Sequence, residues 1–287
     1  MPLPGSSATS RQFAFAACKN PPKSREQRAG RFGFTLRDNS VADLSRNSVI
    51  YPQAVASDST PREGNDVKTV AVISRKGGAG KTTVAVNLVV SAYRAGKKAM
   101  LADIDPQRSS FDALRARTID GPALAGISAG KLFHTKSQAA HDGFEMLVLD
   151  TPASPDSDVV QAVNSADLCL LVCRPTFLDI ASVARSAEFV RSLGKPGLII
   201  LNQAPPKRGG LEPVTVQKAV QALRFCSLPV ASVGLRARAA YQQSIAHGRS
   251  IGEWDANSPG ATEIARLWDN VAAMLAFDHK DQNAKVG

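Results

Sequence analysis

From residue 67 onward, the chain alternates short runs of consecutive apolar residues with longer stretches whose apolar positions recur every three to four residues. The short runs read as strands buried on both faces, and the longer stretches as helices that cover them. Strands are expected at 68–74, 98–103, 144–150, 167–173, 197–202 and 229–233. Helices are expected at 82–95, 109–117, 157–165, 179–193, 213–226, 237–247 and 261–277. Gly96 and Gly194 serve as helix stops, and Pro213 lies near a helix start. The alternation predicts α/β structure: three layers, doubly wound around a mostly parallel sheet. No internal repeat is evident, and the connector between 117 and 144 gives no assignable element.

Composition divides the chain at residue 66. Residues 1–66 are rich in Ser, Arg, Asn and Pro and show no sustained period. They carry 9 Lys and Arg against 6 Asp and Glu, or +3 of the net +10, which leaves +7 for residues 67–287. The segment reads as a basic, largely disordered N-terminal extension, with an early start codon or a small DNA-binding element as alternatives. Residues 67–287 then form one domain. The basic balance suits a polyanion such as nucleic acid, against the plainer reading of good solubility. Of the cysteines, Cys18, Cys169, Cys173 and Cys226, none forms a CxxC pair. Cys169 and Cys173 fall on one face of a strand, as reduced core thiols would in a reducing cytoplasm. No apolar run approaches the ~20 residues of a membrane helix.

Candidate chemistry is concentrated in three strand ends. After the first strand comes RKGGAGKTT, residues 75–83, leading into a helix. Gly77, Gly78 and Gly80 let the backbone, including Ala79, curl its N–H groups around phosphate oxygens at the positive end of that helix. Lys81 supplies a point charge for the β and γ phosphates. The Thr82 hydroxyl, with Thr83 beside it, is placed to ligate Mg²⁺. The general phosphate-loop pattern has Gly at position 75, where this chain has Arg75. The second strand ends in DIDPQ, which puts Asp103 and Asp105 at the ligand edge of the sheet. The strand at 144–150 delivers Asp150 to the same edge, followed by Thr151 and Pro152.

The additional Lys76 would repel Lys81 unless something strongly anionic lay between them. KGGAGKTT resembles, at every specified position, the deviant Walker A loop of the ParA and MinD family of P-loop ATPases. The resemblance extends over about residues 67–277 and is closest to short plasmid-type ParA partition proteins. It implies ATP and Mg²⁺ as cofactors, with weak ATPase activity. Lys76 would reach the nucleotide of a second subunit in an ATP-bound homodimer and stabilise the transferring phosphoryl group in trans. Asp105, in the D-x-D-P-Q motif, would orient the attacking water, and Asp103 would support the metal and the loop. Asp150 would hold Mg²⁺ as the Walker B carboxylate, with residues 151–154 as a nucleotide-sensing switch in which Ala153 replaces the family's second proline. Asn202 matches the asparagine that usually contacts adenine.

On this resemblance the ATP dimer binds DNA non-specifically, and a ParB-like centromere-binding protein stimulates its hydrolysis, so that plasmid or chromosome DNA is segregated or positioned. The expected site of action is the cytoplasm, on the nucleoid, with no membrane partner. Arg236, Arg238 and Arg249 are the expected DNA contacts, which would make affinity fall steeply with salt. The alternatives are a ParA-like factor for a non-DNA cargo and a MinD-like membrane switch. The latter needs a basic amphipathic C-terminal helix, whereas residues 277–287 are short, polar and mixed in sign. An iron–sulfur carrier would need paired cysteines near Asp150, and the sequence has none there.

Overall fold

A computed structural model of the chain describes residues 48–50, 66–153 and 157–277. The expectation of a disordered tail over 1–66 therefore falls almost entirely outside the described residues. Within that segment, residues 48–50 form a short strand that the composition did not suggest.

Among the described residues, seven strands form one sheet. In chain order they are β1 (Ser48–Ile50), β2 (Lys68–Ile73), β3 (Ala99–Asp103), β4 (Ala123–Gly126), β5 (Met146–Asp150), β6 (Leu168–Cys173) and β7 (Gly197–Leu201). Their spatial order is β1-β4-β3-β5-β2-β6-β7. β2 to β7 are all parallel, and β1 pairs antiparallel with β4 at one edge. The described helices are α1 (Lys81–Arg94), α2 (Ser109–Arg115), α3 (Leu132–His141), α4 (Ser157–Ser165), α5 (Phe177–Ser192), α6 (Val214–Leu223), α7 (Ala239–Ala246), α8 (Ile251–Trp254) and α9 (Pro259–Met274).

Side-chain alternation sorts the strands between two apolar cores. Val70, Val72, Met146, Val148, Leu168, Leu170 and Val172 face a core completed by α1, α2, α7, α8 and α9. Ala71, Ile73, Leu147, Leu149, Cys169, Leu171 and Cys173 face the other, completed by α3, α4, α5 and α6. This is the predicted three-layer, doubly wound arrangement, and its parallel strands are buried on both faces. Cys169 and Cys173 lie on one face as expected, and burial pushes both thiols up to about 12.

Two expectations change. Residues 229–233 do not form a strand. They touch the β7 edge only through isolated bridges, at Ile199–Val230 and, further on, Ala204–Arg236. Pro229 has no N–H to donate, and the Leu201 carbonyl accepts the Leu235 N–H at 2.8 Å in place of that of Val233, so the ladder stops on both sides of Val230. The unassigned connector holds both β4 and α3. β4 reads ALAG, three small residues around one Leu, with no β-branched signal. Its last position is tight: a Cβ on Gly126 would come within 2.9 Å of the Arg108 guanidinium and 3.3 Å of the Phe111 ring.

A buried amide ties the loop helix to the far end of the domain. Asn87 in α1 is fully buried, and its Nδ2 donates to the Thr83 carbonyl at 2.8 Å. Its Oδ1 accepts the first N–H of α8, from Ile251, also at 2.8 Å. Asn87→Ala strands that N–H away from water, so it is expected to cost about 1–3 kcal/mol, read as a lower urea midpoint at unchanged m-value.

Candidate nucleotide-binding site

β3, β5 and β2 are neighbours in that order, so their C-terminal ends open side by side at one edge of the sheet. Register pairs Asp103 with Asp150, and Asp150 with Val72. Parallel pairing thus brings together residues that lie 47 positions apart in the sequence.

Residues 74–80 turn from β2 into α1, and Gly78 (φ 71°) and Gly80 (φ 95°) take left-handed backbone. At Gly80 a side chain is excluded twice, by φ and by the Asn202 amide, which a Cβ would strike. The N–H groups of residues 77–83 find no acceptor among the described residues. α1 also has no side-chain cap and no acid in its first turn. A concave set of free N–H groups at a positive helix end is an anion site. Lys81 stands over it, 8% exposed. Burial lowers its pKa, against the charges of Asp150 and Asp105, which raise it.

Asp150 is 2% exposed. Its Oδ2 accepts the Thr82 hydroxyl at 2.8 Å, while its Oδ1 is buried with no hydrogen-bond partner. Burial and the neighbouring Asp103 push its carboxyl up to about 7, with the Thr82 bond and the Lys81 charge pulling the other way. An orphaned, buried carboxylate oxygen beside a hydroxyl from the first turn of the loop helix fits a hydrated Mg²⁺ shared with phosphate. Thr151 follows, and its hydroxyl is turned back onto the Val72 carbonyl at 2.9 Å. Ser154 of the expected switch lies outside the described residues.

Asp103, expected to support the metal, has no oxygen to spare. Its Oδ1 accepts the Asp105 N–H at 3.0 Å. Its Oδ2 accepts the N–H groups of Ser110 and Phe111, both at 3.0 Å, and the Ser110 hydroxyl at 2.8 Å. It therefore braces the start of α2 and holds the turn between β3 and α2, which leaves Thr82 and Asp150 as the residues that could hold a metal. That turn contains Arg108 at φ 55°, whose Nη1 donates to the Asp103 carbonyl at 2.7 Å. Asp105 projects from the same turn, half-buried. Its Oδ1 accepts the Gln107 N–H at 2.9 Å, and its other oxygen meets no donor among the described residues. Lys76 is likewise half-buried and has no ion-pair partner among the described residues.

The loop's other wall comes from the end of β7. Asn202, expected at adenine, is buried and donates Nδ2 to the Ala79 carbonyl at 2.7 Å. The next residue, Gln203, donates Nε2 to the Gly78 carbonyl at 2.8 Å. Sequence reading missed Gln203, since no motif marks it.

The expected DNA contacts are mostly neutralised. Arg236 pairs with Glu212, and its side chain is only 10% exposed. Arg238 pairs with Glu263 at 2.6 Å. Arg249 is half-buried and has no ion pair among the described residues. A different basic feature is present at Lys207–Arg208. Arg208 and Leu211 exchange backbone hydrogen bonds across Gly209 (φ 56°) and Gly210 (φ 79°), which makes a two-residue turn with both central residues at positive φ. Arg208 is exposed beside it, and Lys207, also exposed, pairs with Glu212 at 3.4 Å.

Residues 70–251 match the family described as the CobQ/CobB/MinD/ParA nucleotide binding domain. The chain is 33% identical over 214 residues to the protein named maintenance of carboxysome distribution protein A from Gloeobacter kilaueensis, covering 74% of this chain and 95% of that one. It is 24% identical over 241 residues to the chromosome-partitioning ATPase Soj of Thermus thermophilus, covering 73% and 97%. In structure it resembles the septum site-determining protein MinD from Pyrococcus horikoshii, solved with Mg-ADP, with a TM-score of 0.60 at 17% identity, covering 77% of this chain and all of that one.

Asp150 gives a test with opposite signs. Its carboxyl titrates near 7 in the fold but near 3.9 in an unfolded chain. The cost of burying the charge is therefore fully present above pH 7 and disappears as pH falls toward 4. Asp150→Asn keeps the shape without the charge. At pH 7.5 it is expected to raise the thermal midpoint of the ligand-free protein by ~2–4 °C, with little effect at pH 4.5. The same substitution is expected to abolish the strengthening of ADP binding by Mg²⁺ in calorimetric titration.

Proposed function

The chain belongs to the CobQ/CobB/MinD/ParA nucleotide-binding family, and from that premise we propose that it is a Mg²⁺-dependent ATPase that dimerises with ATP, holds DNA without sequence preference in that state, and positions a cargo along it. The carrying observation is the second lysine of the loop. Lys76 is half-buried beside an anion cradle already served by Lys81, and it has no acidic partner among the described residues. A cation in that position is useful when a second copy brings a nucleotide to it. Phe177 and Leu178 support a facing copy. They begin α5 just beyond the C-terminal end of β6, on the edge of the sheet that carries the loop, and are 85% and 65% exposed. The described residues contain no helix long and apolar enough to cross a membrane.

The roles then divide as follows. Residues 77–83 and Lys81 hold the triphosphate, while Thr82 and Asp150 hold Mg²⁺, which neutralises phosphate charge. Asp105, with one free oxygen, orients the attacking water. Asn202 closes the loop's outer wall, with adenine contact as a second duty. For DNA, Arg249 remains, joined by the exposed Arg208, while the ion pairs of Lys207, Arg236 and Arg238 assign those three to structure. The first cargo reading is plasmid or chromosome DNA segregated with a ParB-like partner, on the nucleoid in the cytoplasm. The 33% identity to a protein named for carboxysome distribution favours a second reading, a protein assembly as cargo on the same DNA track.

DNA retention measured with ADP, ATP and a non-hydrolysable ATP analogue tests the core of this reading. Wild type is expected to be retained with ATP and the analogue and to lose retention as salt rises. Lys76→Ala is expected to lose at least tenfold in ATP turnover, by analogy with trans-acting cations. Retention indifferent to nucleotide, or ATP-dependent pelleting with liposomes and not with DNA, would overturn it. Separately, Asp105→Ala is expected to bind ATP and dimerise while turnover falls at least ~100-fold, as followed by phosphate release. Normal release would remove Asp105 from the mechanism.

A further inference from the structure

We propose that Gln203 is a positioning residue for phosphate binding, which together with Asn202 fixes the orientation of the two peptide planes that aim the Ala79 and Gly80 N–H groups at the bound phosphates. The inference rests on the reading that residues 75–83 hold phosphate.

The argument starts from the planar trans peptide, in which C=O and N–H point in opposite directions. The Gly78 carbonyl shares its plane with the Ala79 N–H, and the Ala79 carbonyl shares its plane with the Gly80 N–H. Gln203 Nε2 holds the first carbonyl at 2.8 Å, and Asn202 Nδ2 holds the second at 2.7 Å. Fixing both carbonyls on the β7 side turns both N–H groups the other way. A loop that is already turned binds an anion without paying to order itself first.

Two consecutive residues of an extended strand point to opposite faces and could not both reach one loop. Here they do, because Gln203 adopts φ 53°. Its neighbours leave it little choice. The Asn202 N–H is held by the Cys173 carbonyl at 2.7 Å, and the Ala204 N–H by the Leu235 carbonyl at 3.0 Å. Glycine would occupy this backbone without strain, whereas glutamine does so at a cost. What glutamine adds is an amide long enough to reach Gly78. Gln203 is exposed while Asn202 is buried. The outer member of the clamp thus adds nothing to the core, and its one visible task is to hold the loop.

The test compares wild type with Gln203→Gly, Gln203→Glu and Lys81→Ala by calorimetric titration of Mg-ADP, thermal melting, and hydrogen exchange over residues 75–83. Gln203→Gly removes the amide and relieves the strained φ. It is expected to melt at or above the wild-type temperature, to bind ADP about 2- to 10-fold more weakly, and to exchange faster in the loop alone. Gln203→Glu keeps the size but loses the donor and puts a negative charge beside the phosphates, so it is expected to bind more weakly still. Wild-type affinity and unchanged loop exchange in both variants would overturn the proposal. Weaker binding that appears only with a lowered melting temperature would also overturn it, because the role would then be structural. If wild type fails to bind ADP, or Lys81→Ala binds it equally well, the phosphate-loop reading itself fails, whatever Gln203 does.

Discussion

A carboxylate sealed from water requires donors on both oxygens or a cation, and Asp150 has one hydroxyl. Thr82 serves Oδ2, Oδ1 is orphaned, and the nearest charge of the same sign, on Asp103, is its register partner on the adjoining strand. Asp103 shows what a satisfied acid in this environment looks like, with four donors on two oxygens. Two adjacent acids so differently supplied have different tasks. The satisfied one builds a turn, and the unsatisfied one waits for something positive. The free N–H groups of the loop make the complementary demand for something negative. A metal–phosphate ion pair would meet both demands at once.

The sheet makes that concentration of need possible. Placing β5 between β3 and β2 brings three strand ends together whose residues come from separate stretches of the sequence. Each strand is apolar on both faces, and the two cores they feed fix the register, so the edge residues have no freedom to slide apart. α1 transmits the arrangement further. Asn87 bonds backward to Thr83 and forward to Ile251, which links the loop helix to the segment that carries Arg249. Arg117, at the end of α2, is bonded to Glu253 in the same segment, with side chains only 6% and 11% exposed. α1 at its middle and α2 at its end thus bear on one segment.

The sequence made legible what is local. KGGAGKTT, DIDPQ and the apolar run into Asp150 each state a backbone path and its chemistry within ten residues, and the structure brings all three together as expected. Hidden features depend on distant partners or weak signals. Arg236 and Arg238 look like free cations until Glu212 and Glu263, 24 and 25 residues away, are folded against them. β4 is ALAG, too short and with no β-branched residue to announce a strand, yet it pairs along its whole length with β3. The apolar run at 229–233 has the opposite fault: it signals a strand that Pro229 and the capture of the Leu201 carbonyl by Leu235 prevent. Gln203 was invisible because nothing in a glutamine's neighbours predicts a left-handed backbone.

Backbone strain separates function from punctuation in this chain. Three non-glycine residues among those described have positive φ: Arg108, Gln203 and Ala276. Each such residue costs of order 1–3 kcal/mol in the general case. Ala276 follows the end of α9, where the Phe277 N–H returns to the Ala272 carbonyl, an ordinary helix stop that glycine would fill with less strain. Its methyl group makes no polar contact, so its conformation carries no message about ligands. Arg108 and Gln203 differ in one respect. Each sends its own side chain back to a backbone carbonyl of a site-forming segment, to Asp103 at 2.7 Å and to Gly78 at 2.8 Å. The first braces the turn that presents Asp105, and the second braces the loop that presents the N–H groups. Strain coupled to such a brace fixes the geometry of this sheet edge, and strain without it only ends a helix.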